Sequence, residues 1–120
     1  MPLSIAHGDF VPWNMDLRSE SLLLWDWEKA LKQAPWSYDA IHFEFLTRRC
    51  LRVEDRKIAL RGTLEALAEH APALGVPGLE DDVSLHLAAY AACRSANEYR
   101  IGRPSADAAW LVGAARTLLD

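Results

Sequence analysis

From residue 37 onward, apolar side chains recur every three or four positions, the spacing that lines one face of an α-helix. Ser37 stands where a helix cap belongs, and Tyr38, Ile41, Phe45 and Leu46 form the apolar face of a helix predicted to run to about Cys50. A second helix, about 54–71, carries Leu60, Leu64, Leu67 and Ala71 on one side. It opens with Glu54 and Asp55, the charge sign favoured near a helix N-terminus. Gly75-Val76-Pro77-Gly78 breaks the pattern. A third helix, about 79–100, opens with Glu80, Asp81 and Asp82 and buries Leu79, Val83, Leu87 and Tyr90. Gly102-Arg103-Pro104 stops it, and Ser105 caps a fourth helix lined by Leu111, Ala115 and Leu118.

Residues 1–36 have a different texture, rich in Trp, Pro and short apolar runs. Leu3-Ser4-Ile5-Ala6 predicts a short strand leading into His7-Gly8-Asp9. Asn14–Leu17 and Leu22–Trp25 predict two strands joined across Arg18-Ser19-Glu20-Ser21, a polar connection short enough for a β-hairpin. Pro12 keeps the loop between the first two segments out of helix, and Pro35 ends the region. The expectation is an α+β, mostly α chain: residues 1–36 as loop and hairpin, packed on a helical subdomain of residues 37–120, together one domain.

Composition narrows the function classes. At 120 residues, 51% hydrophobic and 25% charged, the chain is long and apolar enough to bury a core. A net charge of -4 gives no electrostatic case for nucleic acid. No apolar stretch approaches the ~20 residues a bilayer requires, and no basic region precedes an apolar run at the start. Cys50 and Cys93 lie far apart without companion ligands and are expected as buried free thiols, so a cytoplasmic setting is expected.

The chemistry concentrates in His7-Gly8-Asp9-Phe10-Val11-Pro12-Trp13-Asn14, followed a dozen residues later by Asp26-Trp27-Glu28. Phosphoryl transfer asks for a carboxylate beside the attacking hydroxyl and oxygen ligands that hold Mg²⁺ against the phosphates. A loop of the form H-x-D-x-x-x-x-N supplies the first and one of the second from a single turn, and a following hairpin returns another acid beside the same metal. Mg²⁺ is small and hard, so Asn and Asp oxygens suit it, with phosphate and water completing the shell.

These segments, with Pro35-x-x-x-Asp39, resemble the signature of the aminoglycoside phosphotransferase and choline kinase superfamily, which shares the protein-kinase-like fold. The resemblance implies that Asp9 is the catalytic base and that Asn14 and Asp26 bind Mg²⁺, with Glu28 a weaker metal position. It implies that Asp39 hydrogen-bonds to the catalytic-loop backbone and that His7 supports the loop from beneath. ATP or GTP would be the donor. The acceptor pocket would come from the helical bundle, which makes Asp82, His86 and Tyr90, and further along Arg94 and Asn97, candidates by position.

Two features depart from that pattern. The superfamily grips nucleotide with a β-rich lobe that carries a phosphate-pairing Lys, whereas only six residues precede His7, and Lys29, Lys32 and Lys57 all follow the motif. The chain therefore reads as a C-terminal-lobe portion of a kinase, inactive alone and completed by a separate lobe chain or by self-association. The alternatives are a binding or scaffold module derived from such a kinase, or another Mg²⁺-dependent reaction on a phosphorylated ligand. Elsewhere the expectations are ordinary. Trp13, Trp25, Trp27 and Trp36 pack in the core rather than form a platform for a base or sugar. His42, His70 and His86 lack metal-ligand spacing. Arg48, Arg49, Arg52 and Arg56 form a solvated helix end.

Overall fold

The computed structural model describes residues 1–18 and 21–119, without the side chains of Leu17, Arg18 and Glu28. Its elements run β1 (Leu3–Ala6), β2 (Met15–Arg18), β3 (Ser21–Leu24), β4 (Leu31–Pro35), α1 (Tyr38–Leu46), α2 (Arg56–Leu74), α3 (Val83–Arg100) and α4 (Ala106–Leu119). The chain is α+β and mostly helical. Single 3₁₀ turns precede β2 and β4, and a π-helical turn, Thr47–Leu51, extends α1.

β2 and β3 form the expected hairpin, antiparallel with Met15 opposite Leu24 and Arg18 opposite Ser21. The strands reach further into the connection than the sequence suggests, and residues 19 and 20 at its tip lie outside the described residues. β4 is an unanticipated element, since Leu31-Lys32-Gln33-Ala34-Pro35 has neither alternation nor β-branched residues to announce it. It exists because β1 offers it an antiparallel edge, with Leu3 opposite Pro35 and Ala6 opposite Leu31. The two short ladders bracket the His7–Asn14 loop.

Helix caps follow the sequence where a side chain is free to serve. Asp55 accepts from the Ile58 amide at 3.0 Å, Asp82 from Leu85 at 2.9 Å and the Ser105 hydroxyl from Ala108 at 3.2 Å. Ser37 does not cap α1; its hydroxyl is spent on His86 Nδ1 at 2.7 Å. α3 starts later than expected because Asp82 is the cap and Glu80 and Asp81 belong to the preceding turn.

One core joins all the layers: Tyr38, Ile41 and Phe45 of α1 meet Leu60 and Leu67 of α2, Leu87 and Tyr90 of α3 and Leu111 of α4, with Ala6 and Ala34 from the strands. The radius of gyration, 13.7 Å, is that of a single folded unit of this length. Three expectations are corrected. Trp13, Trp25, Trp27 and Trp36 are not core residues but stand 45–49% exposed, because they lie in turns and just past strand ends and not on an element face turned to the core. Most of the arginine cluster is not a solvated helix end: Arg49 and Arg56 both bond Asp107 on α4 and Arg48 lies between Glu44 and Glu54, whereas Arg52 is exposed as expected. Both cysteines are free thiols, but Cys50 is exposed. Among the described residues no helix is long and apolar enough to cross a membrane.

Candidate active site

The His7–Asn14 loop is held from below by α1. Asp39, in the first turn of that helix, accepts from the His7 amide at 2.8 Å through Oδ2 and from the Gly8 amide at 3.1 Å through Oδ1. His7 is buried, and its ring fixes the loop from within: Nδ1 accepts from the Asp9 amide at 3.2 Å, so the ring proton sits on Nε2 and is donated to the Trp25 carbonyl at 2.9 Å. The Trp27 indole lies over the same imidazole, with ring centroids 4.3 Å apart. Gly8 adopts φ +87°, and a Cβ there would overlap the Lys29 carbonyl, so only glycine fits.

This scaffold presents Asp9 and Asn14 together. The Asn14 amide nitrogen donates to the Asp9 carbonyl and to Asp9 Oδ2, both at 3.1 Å. Since both groups facing the amide are acceptors, its NH₂ must point at them and its oxygen away. The Trp25 amide donates to the Asn14 carbonyl at 3.1 Å, continuing the hairpin ladder by one pair. Asp26 is therefore within about 9 Å of Asn14 between Cα atoms, one strand spacing plus one chain step. Asp26 is exposed and adopts φ 63°, left-handed backbone that aspartate visits at a cost. The Glu28 side chain lies outside the described residues.

Asp9 has two further partners. His42 Nε2 meets Oδ1 at 2.9 Å, and Lys29 Nζ lies 3.7 Å from Oδ2. Burial raises the Asp9 carboxyl, but the His42 bond, the His42 and Lys29 charges and the Asn14 amide together outweigh it and hold Asp9 below the usual carboxylate range. Burial dominates at His42 and, with the Arg94 charge, keeps the imidazole below its usual value despite Asp9. At neutral pH the pair is thus an ionised carboxylate and a neutral ring. His42 was not expected here. Its signal was present in the sequence: it lies three residues after Asp39, one turn along the same helix face.

A cleft of about 190 Å³ opens beside Asp9, lined also by Trp13, Lys29, Arg94, Asn97 and Glu98. Of the α3 candidates, Arg94 and Asn97 reach it. Asp82, His86 and Tyr90 do not: Asp82 caps the helix at its far end, His86 is buried against Ser37, and Tyr90 is fully buried behind His42. Only the C-terminal turns of α3 pass the loop. A larger open groove of about 690 Å³ between α2 and α4 is lined mainly by apolar groups such as Leu60, Leu64, Trp110 and Leu118, and shares no residue with the cleft.

Among the described residues no three His, Cys, Asp or Glu side chains cluster as a metal-binding group. Of the metal positions the motif implies, Asn14 contacts Asp9, and Asp26 stands exposed just beyond the paired strands. Amide and carboxylate oxygens are the donor types that Mg²⁺ accepts, one or two carboxylates with phosphate and water completing its shell. No protein-family model, curated protein or solved structure matches the chain.

Proposed function

We propose that this chain is the catalytic-loop portion of an ATP- or GTP-dependent, Mg²⁺-dependent small-molecule phosphotransferase with a kinase-like C-terminal lobe. The observation that carries the reading is the Asp9 carboxylate bonded to Asn14 at the foot of the hairpin that returns Asp26. The Asp39 grip on the loop backbone and the strained backbone of Asp26 support it, because preorganised loops and held outliers concentrate where chemistry is done.

Asp9, ionised and presenting Oδ2 near Lys29, would take the proton of an acceptor hydroxyl seated in the cleft. The hydroxyl oxygen then bonds the γ-phosphorus, and the bond from phosphorus to the bridging oxygen breaks, its electron pair leaving with the nucleoside diphosphate. The Asn14 oxygen and the Asp26 carboxylate would hold Mg²⁺, which when bound offsets phosphate charge. A cleft this small, below the ~300 Å³ typical of ligand pockets, suits the reacting end of an acceptor and not a nucleotide. The nucleoside end would need surface beyond this cleft, whereas the Mg²⁺-bound phosphates would meet Asn14 and Asp26 here. A second reading, a kinase-derived binding module, draws on the exposed Trp13, Trp25, Trp27 and Trp36, which suit a partner's surface equally well.

The test needs no turnover. Mg²⁺ and nucleotide together should raise the melting temperature, by an amount equivalent to about 2.7 kcal/mol at 100 times Kd, and Asp26→Ala should abolish the effect. No shift with any nucleotide in the wild-type chain would overturn the ligand site. Where phosphotransfer is measurable, Asp9→Asn should remove roughly 10²–10⁴ of its rate, and an unchanged rate eliminates Asp9 as base.

A further inference from the structure

Behind Asp9 the hydrogen bonds continue into the core. Arg94 Nη1 donates to the Tyr90 hydroxyl at 3.2 Å, the hydroxyl meets His42 Nδ1 at 2.7 Å, and His42 Nε2 meets Asp9 Oδ1 at 2.9 Å. Arg94 is itself anchored through Nε to Glu98 at 2.8 Å, whose other oxygen accepts from the Ser105 amide at 2.8 Å. None of these contacts was expected from the sequence, and the motif residues do not include Tyr90 or His42.

We infer that Arg94, Tyr90 and His42 form a one-way chain of donors that ends on Asp9 Oδ1 and holds the carboxylate so that Oδ2, the oxygen beside Asn14 and Lys29, is the one left to react. His42 is thereby a positioning residue for the base, and the inference rests on the reading of Asp9 above only for that consequence.

Each direction follows from what the partner can do. A guanidinium only donates, so it occupies a lone pair of the Tyr90 oxygen and leaves that hydroxyl's proton for His42. An ionised carboxylate only accepts, so His42 must place its proton on Nε2 and leave Nδ1 bare, the state Tyr90 needs. The two ends of the chain agree on a single arrangement. The groups facing His42 are Asp9 from the loop, Tyr38 and Asp39 from its own helix, and Tyr90 and Arg94 from α3. The acids favour an imidazolium, whereas burial and Arg94 oppose it, and a hydroxyl proton donated to Nδ1 leaves that nitrogen no room for its own. Tyr90 is completely buried, so water cannot replace its hydroxyl there.

Nitrogen-15 spectra of the His42 ring in the whole chain test this without nucleotide. The wild type should show a protonated Nε2 and a bare Nδ1 at neutral pH. Tyr90→Phe keeps the ring volume but removes the donor, so His42 should take a second proton at higher pH than in the wild type, toward the ordinary value of ~6.5. A packing role alone would lower the melting temperature and leave the His42 pattern unchanged, and that result overturns the inference. A wild-type proton on Nδ1 overturns it as well, a reading that stands even if Tyr90→Phe fails to fold. Loss of the Mg²⁺–nucleotide effect would sink the phosphotransferase reading and leave this arrangement intact, so the two failures are separable.

Discussion

Gly8 shows how much one residue can be constrained by a neighbour far along the chain. Its φ of +87° and the Lys29 carbonyl beside its Cα leave no room for a side chain. Gly8→Ala should therefore cost about 3 kcal/mol or more, at the upper end of what single substitutions do. Urea denaturation reads this directly, and a cost within 0.5 kcal/mol of zero, the size of an ordinary surface change, would show that the loop does not approach Lys29. The motif Asp9–Asn14 was legible as residue types at a spacing. Their hydrogen bond was not, because only the folded loop turns the Asn14 amide onto Asp9. His42 was not singled out, since a histidine's role is set by what faces it, and its partners Asp9 and Tyr90 are 33 and 48 positions away.

Among the elements, the junction between α1 and α2 carries a cost that the sequence could have avoided. The π-helical turn ends with the Glu54 amide bonding the Arg48 carbonyl at 3.0 Å, and Val53 closes it at φ 54°. A β-branched residue is ill suited to that backbone, and Val53 is exposed, so no burial compensates. Val53→Gly should relieve about 1–2 kcal/mol of strain and lose about 0.5–1 kcal/mol to the freer unfolded chain. A net gain in stability is expected, and a loss measured by chemical denaturation would contradict the strain. The four helices were legible from periodicity, and the cap of α4 from its Ser. Ser37 failed as a cap because a buried histidine competed for its hydroxyl, and β4 was hidden because only pairing with β1 makes it a strand.

Across the whole molecule, the Asp107 cluster ties α4 to the first two helices. Arg49 bonds it at 2.9 and 3.0 Å and Arg56 at 2.7 Å. Burial would raise the Asp107 carboxyl, but the two guanidinium bonds outweigh it and hold the group below its usual value. A carboxyl depressed on folding contributes stability that is fully present above the unfolded value of 3.8 and is lost as pH falls through the folded one. Asp107→Asn should thus cost about 1–3 kcal/mol at neutral pH and flatten the acid limb of the stability curve. A curve parallel to the wild type below pH ~4 would show that the cluster does not act in this way. The sequence by itself determined the helices, the hairpin and the spacing of the His7–Asn14 segment, because periodicity, caps and short turns are local consequences of residue type. Only the tertiary structure decided which side chains share the cleft, that the tryptophans stand exposed, that Arg49 and Arg56 clamp α4, and that His42 and Tyr90 stand behind Asp9. Those outcomes depend on which distant surfaces pack together, and no local spacing encodes that.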